Sequence, residues 1–253
     1  MLCLAGLADL RRHLDLPPAP DSDDPRLFAA LQIASHAIET YCARHFVPKL
    51  EIFVQGAPRA APEITLQNDL LQAISIADAN GIIALEAVEM LPPSGSASVL
   101  RRNDGGVFAG ELTLEGWWGW HDSPEQLWVN ANDTVRSDPL SFDATVLEVL
   151  SIEGEDVLGR APRFQPGSLL RIGDELLGVI KTDPITNLLT LERGANGTTS
   201  ATHLRGAQIR VYRTPLALHD LALRYAAWLV QHPDPPPDSL IAALSPFRRF
   251  QVK

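Results

Sequence analysis

Residues 193–203 read RGANGTTSATH, a run of small, hydroxyl and glycine residues with an arginine at one end and a histidine at the other. A loop that cradles a phosphate needs Gly-x-x-x-x-Gly-Lys-[Ser/Thr], with backbone N–H groups on the inner phosphates and a lysine on the outer ones. Gly194 and Gly197 are three apart and no lysine follows, so the segment reads as a tight bend, with the glycines supplying left-handed backbone. The histidines at 13, 36, 45, 121, 203, 219 and 232 form no His-x-x-x-His pair, and the sequence assigns neither a metal site nor a cofactor. Ser94-Gly95-Ser96 lies in a proline-flanked loop without the strand–turn–helix setting of a nucleophilic serine. The carboxylates Asp174 and Glu175, and Glu153, Glu155 and Asp156, could pair as acid and base, but at hairpin turns such groups are usually solvated. No catalytic residue is assigned and the chain is not expected to be an enzyme.

Two clusters point to contact rather than catalysis. Trp117, Trp118 and Trp120 fall within EGWWGWHD, where flat apolar faces would suit sugar stacking if exposed and a core or an interface if not. The closing PFRRFQVK interleaves Arg248 and Arg249 with Phe247 and Phe250, residue types that anchor interfaces.

These groups must be held by elements that the apolar period reveals. In DDPRLFAALQIASHAIETYCARHFVP, Leu27, Leu31, Ala34, Ile38, Tyr41 and Cys42 recur at three-and-four spacing, predicting a long helix capped by Asp24, opened by Pro25 and stopped at Val47-Pro48. Leu4, Leu7, Leu10 and Leu14 predict a shorter helix before it. TPLALHDLALRYAAWLVQHP predicts a third, with Thr214 as cap and Leu218, Leu221, Ala222, Tyr225, Trp228 and Leu229 on one face; SLIAALS would add a final turn or two. Between them the period shortens to that of strands, with hairpins expected around Gly173-Asp174 and Asp183-Pro184 and a long loop over residues 121–143. The expected fold class is α+β: a small helical bundle from residues 1–49 and 214–253, with a large antiparallel β sheet or barrel, residues 50–213, inserted between them.

Charge follows the same division. The net −10 lies wholly in residues 50–213, where 22 acidic side chains meet 12 basic ones. Such a surface repels nucleic acid instead of gripping it, because binding requires cations that displace phosphate counterions. No apolar run is long enough for a membrane span. Cys3 and Cys42 form no metal or disulfide pattern, the start lacks a basic segment ahead of its apolar residues, and a reducing cytoplasm is the expected compartment.

The phrases LADLRRHLDLP, DDPRLFAALQIASHAIETYCARHF, ALHDLALRYAAWLV and SLIAALSPFRRF together resemble the head-to-tail connector, or head-completion adaptor, proteins of tailed bacteriophages. The middle phrases ELTLEGWWGWHDSPEQLWVN and LTLERGANGTTSATHLRGAQI are similar to β segments of larger phage virion proteins. The resemblance implies a structural role at the virion neck after assembly in the host cytoplasm. About a dozen copies would form a ring below the portal protein, pass DNA through the lumen without specific binding, and offer a seat to the tail or stopper protein. It implies Phe247, Arg248, Arg249 and Phe250 as the portal contact and Trp117, Trp118 and Trp120 as contacts between copies or at the surface. Compact connectors are mostly helical, so the large β segment departs from the pattern. The alternative is a carbohydrate-binding module using the tryptophan-bearing strands.

Overall fold

The computed structural model describes residues 2–17, 23–232 and 234–249. The fold is α+β, with helices and two large antiparallel sheets. The chain divides into two compact units, one of Arg44–Glu125 and one joining Met1–Ala43 to Gln126–Lys253. The division at 125/126 therefore runs through the stretch 50–213 that period alone treats as one insert.

The unit of residues 44–125 carries β1 (Lys49–Ala61), β2 (Glu63–Asp78), β3 (Gly81–Ile83), β4 (Val88–Leu91), β5 (Ala97–Arg102) and β6 (Phe108–Trp118). Their order is β1-β6-β2-β5-β4, with β3 on β2. β2 serves both neighbours with shifts of register: residues 63–65 and Leu70 pair with β5, and residues 70–77 with β6. β6 alternates as a half-buried strand should, sending Leu112 and Leu114 inward to Leu66, Leu70, Ile76, Leu100 and Phe108 while Thr113 and Glu115 stay half-exposed. Gln55 is buried, accepting from Gln67 N–H at 3.1 Å and donating to the Thr65 carbonyl at 3.0 Å, so its amide ties β1 to the backbone of β2, a strand with which β1 makes no ladder among the described residues.

In the other unit, α1 (Leu7–His13), α2 (Asp24–Cys42), α3 (Leu216–Gln231) and α4 (Asp238–Ala242) accompany a sheet of order β7-β12-β9-β10-β11-β8. These strands are β7 (Trp128–Thr134), β8 (Val146–Glu148), β9 (Leu169–Ile172), β10 (Glu175–Asp183), β11 (Leu188–Glu192) and β12 (Gln208–Tyr212). Their core includes Leu147, Phe164, Leu170, Leu177, Leu189 and Ile209. α2 packs on α3, and α1 on both. The buried face of α2 holds the expected Leu27, Leu31, Ala34, Ile38 and Cys42, with Ser35 accepting the Leu4 N–H at 3.0 Å. The sheet shares this unit because the start of the chain is fastened to the loop ahead of β9: Cys3 N–H donates to the Gly167 carbonyl at 3.1 Å and Ala8 N–H to Gln165 Oε1 at 2.9 Å.

Several boundaries differ from the sequence expectation. α2 ends at Cys42, where Ala43 takes φ +49°, six residues before the proline expected to stop it. α3 starts after Pro215 with no side-chain cap, so Thr214 does not play that role. The expected long loop over residues 121–143 contains β7, whose Ala131 joins the sheet's core and whose Val129 is also buried.

Candidate functional site

The loop of residues 193–203 is wrapped around one carboxylate. Glu175 opens β10 directly after the Gly173-Asp174 turn, and its side chain is fully buried. Five donors converge on it: Arg193 Nε (2.8 Å) and Gly194 N–H (3.0 Å) on Oε1, and Arg193 Nη2 (2.9 Å), Ala201 N–H (2.9 Å) and His203 Nε2 (2.7 Å) on Oε2. An ionised carboxylate only accepts, so the histidine carries its proton on Nε2. Burial pushes the carboxyl up, but the hydrogen bonds from Arg193, Ala201, Gly194 and His203 outweigh it and hold Glu175 down at about 2. Arg193 is itself saturated by the carbonyls of Ser141, Ala144 and Ala201.

The backbone supplies the rest of this arrangement. Gly194 and Gly197 have φ +58° and +84°, and Asn196 between them also turns left-handed at +50°. Thr198 Oγ1 accepts the Leu176 N–H at 3.0 Å and donates to the Ala195 carbonyl at 2.8 Å, locking the loop to β10. The segment is the bend the sequence predicts, and its arginine and histidine have a structural occupation. The expectation of a solvated Glu175 is overturned; an arginine and a histidine bracketing a glycine turn are the signal that a buried counter-charge lies near.

Two further loops in the same unit follow the same plan. Asp133 accepts the N–H groups of Thr134 (2.7 Å), Leu150 (3.1 Å) and Ser151 (3.2 Å), with Arg163 Nη1 at 3.5 Å. Asp156 accepts the N–H groups of Leu158 (2.8 Å) and Arg160 (3.1 Å) and pairs with Arg213. Asp174 is fully exposed, and Glu153 and Glu155 lie outside these networks, so no acid–base pair forms among the carboxylates singled out from sequence. Among the described residues, no group of three or more His, Cys, Asp or Glu could hold a metal ion.

The closing phrase lies on its own α2. Phe247 ends a 3-10 turn, Ser245–Phe247, and is half-buried. The Arg248 guanidinium sits 5.1 Å from the centre of the Tyr41 ring, and Arg249 N–H donates to the Cys42 carbonyl at 2.8 Å. These contacts complete the end of α2, whose last carbonyls have no partner within the helix. A tail projecting freely from its subunit is not what residues 247–249 form; Phe250 lies outside the described residues. No protein-family model, curated protein or solved structure matches the chain.

The tryptophans are placed differently from one another. Trp117 and Trp118 are 8% and 4% exposed, and the Trp118 ring lies 5.3 Å from that of Phe53, tilted by 54°, while its Nε1–H donates to the Glu51 carbonyl at 2.9 Å. Burial removes these two as an exposed contact surface, and with them the flat stacking face that a sugar would need. Trp120 is half-exposed, edge-on to Phe46 at 5.8 Å and beneath Arg44 at 5.3 Å. Of the three, it alone offers some of its ring to a partner.

Proposed function

We propose that this chain is a structural adaptor of the head-to-tail junction of a tailed bacteriophage, with the helices from the two ends of the chain as its connector core. In this reading α1, α2 and α3 form a small helical bundle that shares its unit with the sheet of β7 to β12, and residues 44–125 are the added unit. The observation that supports it most is that segments from opposite ends of the chain come together: α2 packs on α3, and the SPFRR phrase is fastened to the end of α2 by Arg249 and Arg248. That leaves Phe247 half-buried and Arg248 exposed, an aromatic and a cation on a folded ledge suited to docking on a portal ring. Neighbouring copies would complete the ring, a tail or stopper protein would bind below, and the net charge of −10 would let DNA pass through the lumen without adhering.

Electron microscopy of the protein with and without its cognate portal tests this. A closed ring seated on the portal is expected. Arg248→Glu, at an exposed position, should leave the circular dichroism spectrum unchanged and abolish the seated ring. A seated ring formed equally well by that variant would remove residues 247–250 from the portal contact, and the absence of any ring with the unmodified protein and portal would end the adaptor reading.

A further inference from the structure

A cleft of about 530 Å³ opens between α1, the loop over residues 156–168, the end of β12 and the start of α3. Its wall carries Arg12, Arg160, Arg163 and Arg213 against only two carboxylates, Asp9 and Asp156, in a chain whose net charge is −10. A concentration of cations in a concave site of an acidic protein needs a reason, since it raises the local potential that draws anions.

Both carboxylates are already engaged. Asp9 Oδ1 receives Arg12 Nη1 at 3.1 Å, and Oδ2 receives Gln165 Nε2 and meets His219 Nε2, each at 3.2 Å. Asp156 is held by Arg213 and by the N–H groups of Leu158 and Arg160. Arg163 turns to Asp133 and the carbonyls of Ala131 and Asn132. Cys3 also faces the cleft, and burial pushes its thiol up to about 12, so it adds no negative charge. What remains is Arg160, whose exposed guanidinium makes no ion pair or hydrogen bond among the described residues, and the solvent-facing N–H groups of Arg12, whose side chain is 66% exposed although its Nη2 also donates to the Ala161 carbonyl at 2.9 Å.

We propose that this cleft binds an oxyanion of two or more charges, a phosphate or a dicarboxylate, held by Arg160 and Arg12. The planar guanidinium fork fits either group, and each N–H to a charged oxygen is stronger than a neutral hydrogen bond. The inference goes beyond the adaptor reading and does not depend on it, because the cleft lies within one copy of the chain.

Amide NMR of the full chain, titrated with inorganic phosphate and in parallel with succinate at constant ionic strength, tests it. Saturable shifts are expected at the amides of Arg160, Ala161 and Thr214 for at least one of the two probes; which one saturates tells phosphate from carboxylate. The double substitution Arg12→Gln/Arg160→Gln should weaken binding by about five-fold or more. Its far-ultraviolet spectrum checks that the fold is kept, and Arg160→Gln alone, at an exposed position, should already weaken binding. Shifts that stay linear with both probes, or affinities unchanged in both variants, would overturn the proposal.

Discussion

Glu175 and Arg193 meet side by side, Nε on Oε1 at 2.8 Å and Nη2 on Oε2 at 2.9 Å, with Glu175 fully buried and Arg193 7% exposed. Removing one member of such a pair leaves the other charge uncompensated in the interior. Glu175→Ala is therefore expected to destabilise its unit by about 3–5 kcal/mol, read as a shift of the urea midpoint.

The same carboxylate dictates an acid limit. Its ordinary value is 4.5 and its folded value is about 2, so its contribution is fully present above pH 4.5 and is lost as pH falls from there through 2. Denaturant midpoints measured across that window should fall for the natural protein, and more gently for Glu175→Gln. An equal slope in both would show that other carboxylates carry the acid response.

Two glycines at nearly the same backbone angle should respond differently to alanine. At Gly194, φ +58°, a Cβ would lie 2.9 Å from the Thr198 carbonyl oxygen, whereas at Gly173, φ +59°, it meets nothing within 4 Å. Gly173→Ala is expected to cost only the left-handed penalty of about 1 kcal/mol, and Gly194→Ala about 2 kcal/mol or more. Thermal melts of the two variants check the difference.

Trp118 tests the other unit. Its ring fills the core between β1 and β6, and Trp118→Ala should cost about 3–5 kcal/mol, most of it from the cavity left beside Phe53 and Leu114. Limited proteolysis should then cut within residues 44–125 before it cuts elsewhere.

Cys3 and Cys42 are buried thiols outside any disulfide, and burial pushes the Cys3 thiol up to about 12. Because the thiolate is the reactive form, a disulfide reagent at pH 8 should label neither cysteine in the folded protein and both in denaturant. Rapid labelling of the native protein would show that the first turn of chain opens readily.

The helices are legible in the sequence because their apolar stripes repeat over many turns; Leu27 to Cys42 is the clearest case. The Gly173-Asp174 hairpin is legible because its turn residues separate a pair of apolar runs, and Glu175 pairs with Ile172 across it. The division at 125/126 is not, since strands on both sides share one period and one kind of composition, and register depends on partners far along the chain. β7 hides because Asn130, Asn132 and Asp133 give it the look of a loop, while Asp133 spends its polarity on the N–H groups of Leu150 and Ser151. Glu175 reads as solvated because nearest neighbours reveal a turn but not the arginine, 18 positions later, that buries it.

Residues 44–125 leave the ribosome as one uninterrupted stretch, so every strand of that sheet is on hand while the rest of the polypeptide is still being made. The companion unit must wait. The final turn of α2 receives its Arg249 donor about 200 residues after α2 itself is made, and the apolar stripe of α2 has no α3 to cover it until residues 216–231 have followed. A nascent chain of this design therefore presents a finished sheet flanked by an unfinished helix, and that helix is the segment a chaperone would meet.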